Sequence, residues 1–271
     1  MSKMPRTRLR TAGAACTAAV LALLVPGCSD DDGGSGGGKG DKGEGTADLS
    51  AKEISDKAKQ ELLDAKSVHL TLTDKGRDVD KDDPAAMDLA LDRDGNCAGT
   101  LTFGADGGRA ELVKRGDKVW MKPDQAFWKT QVPGGQGDAA AELFKDRYIH
   151  GTTKDPMLKG LSEVCDLKEL QENVSDDAGS DDDPKDLRKG AVTTVDGTRV
   201  IPLTGKDDDG KETTLYVAAE GKPYLVRATE KGDGADQTTT LTDYDKPVPT
   251  KTPSAKDSVD ISKLEQELQQ V

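Results

Sequence analysis

Four apolar residues, Ile54, Ala58, Leu62 and Ala65, recur at helical spacing, and from Ser67 the period shortens to two. Ser50 stands where it can cap such a helix, Glu53 can close the capping box, and Leu49 with Ile54 can form the hydrophobic staple, so residues 50–65 read as a helix. In the following strand Val68, Leu70 and Leu72 share one face, while His69, Thr71 and Thr73 share the other. From Ala85 to Lys122 the alternation continues through hairpins. Met87, Leu89 and Leu91 face one way, the turn Asp94-Gly95-Asn96 follows, and Cys97, Gly99, Leu101 and Phe103 again share a face. Asp106-Gly107-Gly108 and Gly116-Asp117 turn the chain twice more, around Ala110 to Arg115 and into Lys118 to Lys122.

The period then lengthens. Asp138 can cap a short helix over 139–144, and Tyr148 with Ile149 lead into a brief extended piece. Asp155-Pro156 is a helix start, with Met157, Leu158, Leu161 and Val164 on one face, and Asp166 opens another helix bearing Leu167 and Leu170. Ser175 to Asp186 is strongly acidic and reads as a solvated loop. Short strands follow over 191–195, 199–203, 213–219, 224–229 and 238–241, with glycines at most of the turns. No helix-length crossover separates them, which predicts an antiparallel meander. Pro247 to Asp257 should run loosely over the surface, and Ile261, Leu264, Leu268 and Val271 have the spacing of a short terminal helix.

The first 27 residues belong to a different pattern. Lys3, Arg6, Arg8 and Arg10 precede an apolar run from Thr11 to Val25, about 15 residues and short for a membrane span. Leu24-Val25-Pro26-Gly27-Cys28 closes it and resembles a bacterial lipobox, departing from the usual pattern at Pro26. On that reading residues 1–27 are a lipoprotein signal peptide and Cys28 is acylated and becomes the first mature residue. Two or three chains there hold a protein to a membrane, at about 0.8 kcal/mol per buried methylene. An uncleaved anchor and an unlipidated secreted form are the alternatives, and all three place the bulk of the chain outside the cytoplasm. Residues 28–48, mostly Gly, Asp, Ser, Lys and Glu, cannot form a core and read as a tether.

Composition narrows the function. The formal charge is -13, and removing residues 1–27 deletes four basic and no acidic residues, leaving -17. Such a surface argues against nucleic acid and repels an anionic bilayer, so attachment depends on acyl chains. Of the four cysteines, Cys16 falls in the signal segment and Cys28 is the lipid site. Cys97 and Cys165 remain, and in an exported domain they read as one disulfide, worth roughly 4 kcal/mol for a loop of that length. No metal is expected: His69 and His150 are far apart and no Cys-x-x-Cys occurs. Asp92, Asp94 and Asn96 only superficially resemble a calcium loop and are better read as a hairpin turn. No cofactor is implied. No Gly-x-Ser-x-Gly elbow, His-Glu-x-x-His motif or phosphate loop is present, so an enzyme is not expected. Trp120, Phe127 and Trp128 read as core packing, with the rim of a ligand entrance as the alternative.

Several segments together resemble the actinobacterial lipoproteins of the mycobacterial LppX and LprG type, whose fold is related to the carrier LolA. They are the capped helix running into Asp64-Ala65-Lys66-Ser67-Val68-His69-Leu70, Val195-Asp196-Gly197-Thr198-Arg199-Val200, Thr214-Leu215-Tyr216-Val217-Ala218, Gly221-Lys222-Pro223-Tyr224-Leu225-Val226-Arg227 and Asp243-Tyr244-Asp245-Lys246-Pro247-Val248. The resemblance covers residues 49–250, with 251–271 as a tail. It implies an α+β fold: a strongly curved antiparallel half-barrel sheet with helices on its concave side. It further implies an envelope protein, lipid-anchored on the extracytoplasmic face of the membrane, that binds or carries an amphiphilic lipid or lipoglycan. The lining implied is Ile54, Leu62, Val68, Leu70, Leu72, Met87, Leu89, Leu91, Leu101 and Phe103. A scaffold with a filled core and an envelope protein partner is the alternative.

Overall fold

The computed structural model describes residues 45–76, 84–104, 106–131, 135–176, 185–206, 210–232 and 234–261, so Cys28, the tether up to residue 44 and the terminal helix beyond Ile261 lie outside the described residues. After a turn of 3-10 helix at Thr46–Asp48 comes α1, Ala51–Asp64. Its capping box is closed as expected: the Ser50 hydroxyl accepts from the Glu53 amide, and the Ser50 amide donates to the Glu53 carboxylate at 2.9 Å. Those bonds hold the fully exposed Glu53 carboxyl below its usual range.

Strands β1 (Ser67–Asp74), β2 (Pro84–Asp92), β3 (Cys97–Phe103), β4 (Arg109–Arg115) and β5 (Lys118–Pro123) form successive hairpins. The β2–β3 turn consumes the carboxylate of Asp92, whose Oδ1 accepts the amides of Asp94 and Asn96 at 2.9 Å each. Helices α2 (Gln125–Gln131) and α3 (Gly137–Leu143) lead to β6 (Tyr148–Thr152), and α4 (Pro156–Glu163) and α5 (Leu167–Asp176) follow. The second meander is β7 (Lys185–Lys189), β8 (Thr193–Val195), β9 (Thr198–Lys206), β10 (Glu212–Ala218), β11 (Leu225–Gly232) and β12 (Ala235–Thr242), and β13 (Ser258–Asp260) ends the described chain.

These strands make one open 13-stranded sheet in the order β13-β6-β5-β4-β3-β2-β1-β12-β11-β10-β9-β7, with β8 paired to β9. Every pairing is antiparallel except β13 on β6. The two meanders join where β1 pairs β12, with Leu70 opposite Leu241. Helices pack on the face carrying Val68, Leu70, Leu89, Leu91, Leu101, Leu112 and Met121, all buried. The architecture is α+β and mostly antiparallel, as expected.

Other local expectations need correction, whereas Phe127 and Trp128 pack in the core as expected, on α2, their adjacent rings set between Phe103 and Phe144 at centroid distances of 5.2 Å each. Gly108 lets α2 approach, since a Cβ there would lie 2.0 Å from the Phe127 amide nitrogen. The cap of α3 is Gln136, not Asp138, which sits in the first turn and pairs with Lys129 at 3.1 Å. Lys185 to Lys189, partly read as acidic loop, forms an edge strand. The stretch from Pro247 to Asp257 runs over the surface as expected, mostly exposed, and is pinned at Val248, which is buried; just before it the Lys246 carbonyl accepts the Ser67 hydroxyl at 2.6 Å.

Candidate functional site

The disulfide forms between Cys97 and Cys165, at an S–S distance of 2.00 Å. It ties the start of β3 to the turn between α4 and α5, and the fully buried Leu158 and Leu167 hold the two helices on either side. Asp166 caps α5, its Oδ1 accepting the amides of Lys168 and Glu169 at 3.0 and 3.1 Å. Further along α5, the buried Gln171 donates to the carbonyls of Leu62 and Ala65 at 2.8 and 2.9 Å. Its own oxygen accepts Arg93 Nε at 3.1 Å, and the Arg93 guanidinium also reaches the Leu63 carbonyl. The last carbonyls of α1 are satisfied by side chains rather than water, which locks α5 to α1.

Between this helical roof and the sheet lies an open groove of about 350 Å³. Leu70, Met87, Leu89 and Leu91 of β1 and β2 form its floor. Gly160, Glu163 and Val164 of α4, Asp166 of the turn, and Glu169, Leu170 and Asn173 of α5 form its roof and mouth. A Cβ on Gly160 would meet nothing within 4 Å, so this mid-helix glycine faces open space. On the far side of α5 a second hollow of about 270 Å³ is lined by Leu63, Arg93, Lys168, Gln171, Glu172 and Ser175, but Arg93 and Gln171 there are already occupied in the tie to α1.

The ten residues implied as lining divide into three sets. Leu70, Met87, Leu89 and Leu91 reach the groove, and the three leucines also belong to the buried main core. Leu62, Val68, Leu101 and Phe103 are buried in the main core, against which the partly buried Leu72 packs. Ile54 belongs to a separate core with Ala58, Ile201, Leu203 and Val217. The space beneath α1 is thus packed solid at Ile54, Ala58 and Leu62, and the opening lies beneath α4 and α5 instead. The roof residues escaped the sequence reading. Their one signal was Gly160, a glycine without turn duty inside an amphipathic helix, where it costs about 1 kcal/mol relative to alanine.

The remaining chemistry-bearing residues lie elsewhere. His69 accepts or donates at 2.7 Å to Asp88, on the sheet face opposite the helices. His150 stacks on Trp120, ring centroids 4.7 Å apart, on that same outer face. Phe127 and Trp128 are buried, and none of the three aromatic residues borders the groove. Among the described residues no cluster of His, Cys, Asp or Glu is arranged to hold a metal ion. No described helix is long and apolar enough to cross a membrane.

No protein-family model matches this chain, and no curated protein sequence matches it either. Solved structures do resemble it. LprF from Mycobacterium bovis superposes with a TM-score of 0.50 at 14% identity, covering 76% of this chain and 97% of its own. The Mycobacterium tuberculosis lipoprotein LppX gives 0.46 at 16% identity, covering 74% and 98%. A LolA superfamily protein from Nitrosomonas europaea gives 0.23 at 13% identity, covering 74% and 96%. The fold is therefore similar to that of the mycobacterial LprF, in line with the resemblance that the sequence segments implied; at such identities the likeness is one of fold.

Proposed function

We propose that this is a lipid-anchored extracytoplasmic protein that holds an amphiphilic lipid in the α4–α5 groove and performs no catalysis. Residues 1–27 serve as the signal peptide, Cys28 carries the acyl chains, and residues 28–48 tether the domain above the membrane. The sheet acts as a half-barrel whose concave side bears the helices. The groove carries the reading: an apolar floor on which Met87 stays partly exposed beside the buried Leu70, Leu89 and Leu91, beneath a roof that is pinned in place. A packed core that served only stability would close over Met87 as well, because fully burying such a side chain is worth about 1.5–3 kcal/mol. The Cys97–Cys165 bond and the Gln171–Arg93 tie hold the roof at its ends, so an acyl chain can enter without unfolding the domain.

The experiment is detergent-free purification from membranes followed by lipid mass spectrometry of the native protein and of Gly160→Leu. A stoichiometric passenger in the native protein that is lost from Gly160→Leu is expected. Material that is repeatedly empty, or a passenger indifferent to the substitution, would overturn the assignment. Replacing Cys28 by Ala should release the domain from the membrane fraction.

A further inference from the structure

We infer that the groove selects a single-chain amphiphile whose head group carries a positive charge; this deepens, and rests on, the lipid-binding reading. Three observations converge. At about 350 Å³ the groove lies at the lower end of small-molecule sites, about 300–1,000 Å³, which matches the bulk of one acyl chain. Its floor is wholly apolar, which gives the chain its affinity but says nothing of the head. Every charged side chain bordering it is acidic: Glu163 at the end of α4, Asp166 in the turn, and Glu169 in the first turn of α5.

The state of those carboxylates decides the sign. Asp166 is partly compensated by the two amides it caps. Glu163 and Glu169 have no hydrogen-bond or ion-pair partner among the described residues; Lys159, one turn before Glu163, borders neither hollow, and Lys168, next to Glu169, borders the second one. An apolar floor beneath them is a low-dielectric wall that concentrates their field at the mouth. A phosphate or carboxylate head seated there would face like charges, whereas an ammonium head would replace their counter-ions. Gly160 completes the arrangement by keeping the approach to the floor free of a side chain.

The test is titration calorimetry on the full chain carrying Cys28→Ser, purified without detergent. Three probes of equal chain length are compared below their micelle concentrations: dodecyltrimethylammonium, monolauroylglycerol and laurate. At low ionic strength dodecyltrimethylammonium should bind roughly tenfold more tightly than laurate, with the glycerol ester between them, as expected for two or three exposed charge contacts. The gap should close in about 1 M salt, where the screening length falls to about 3 Å. The double variant Glu163→Gln/Glu169→Gln should close it too while leaving monolauroylglycerol unchanged. Equal binding of cation and anion, or a preference that survives the double variant, overturns the head-group inference and leaves lipid binding standing. If none of the three binds, or Gly160→Leu leaves all three unaffected, both readings fall.

Discussion

On one side of the β1–β12 pair, strands β1 to β6 lie under α2 to α5, a disulfide and a core of 23 buried residues; on the other, β9 to β12 rest on α1 and a core of five. The lightly covered half is nevertheless well sealed beneath its helix. One helix presenting Ile54 and Ala58 at matched spacing meets Ile201, Leu203 and Val217 directly. The heavily covered half is roofed by two short helices that meet at Cys165, and their ends cannot tile the sheet beneath them. More cover therefore does not mean better sealing. What decides is whether the covering element is continuous across the strands it spans.

The contrast can be broken at its strongest point by replacing Cys97 and Cys165 together with Ser. Stability should fall by about 2–5 kcal/mol in denaturant titration, and amide exchange should rise in α4 and α5 before it rises in α1. Leu101→Ala and Ile201→Ala each remove a fully buried side chain and should each cost about 3 kcal/mol. Only Leu101→Ala should also weaken ligand binding, because Leu101 lies opposite Met87 of the groove floor. Gln171→Leu severs the tie between the halves and leaves the Leu62 and Ala65 carbonyls unpaired, for a loss of about 1–3 kcal/mol and faster exchange at the end of α1. Ser50→Ala removes the cap of α1 and should lower the denaturation midpoint by the equivalent of about 1 kcal/mol, with groove binding unchanged.

The smallest effect concerns pH. Burial, with the hydrogen bond to Glu111 and that group's charge, pushes Tyr148 up to about 12. A raised phenol keeps its full contribution below about 10 and loses it as pH rises through about 12, because the unfolded chain ionises first. Tyr148 is partly exposed, so after screening the loss should stay under about 1 kcal/mol. Tyr148→Phe should flatten this part of the alkaline stability profile, and an unchanged slope would show that the bond to Glu111 contributes nothing there.

The halves also differed in how far they could be read from the sequence. Alternation through Val68, Leu70, Leu72, Met87, Leu89 and Leu91 exposed β1 and β2, and with them the groove floor, because an antiparallel strand buried on one face must repeat every second residue. The capped start and the spacing Ile54, Ala58, Leu62 exposed α1 for the corresponding reason. By contrast, β7 is Lys-Asp-Leu-Arg-Lys, a charged edge strand with no alternation to detect, and β13 spans three residues. The Gln171–Arg93 tie was invisible because a buried polar pair connects positions 78 residues apart and leaves no period behind. The roof of the groove was missed for a related reason: Glu163, Glu169 and Asn173 look like any solvated helix positions until the floor opposite them is found empty.

The one parallel pair among the described residues, β13 against β6, lies at the boundary where the first meander would otherwise offer its bare backbone to another chain. The polypeptide thus guards its own rim with its last described strand, joined to β12 by the stretch that takes up the Ser67 hydroxyl. Truncation just before Ser258 would strip that guard and turn a self-contained molecule into one prone to pair edge to edge with its copies.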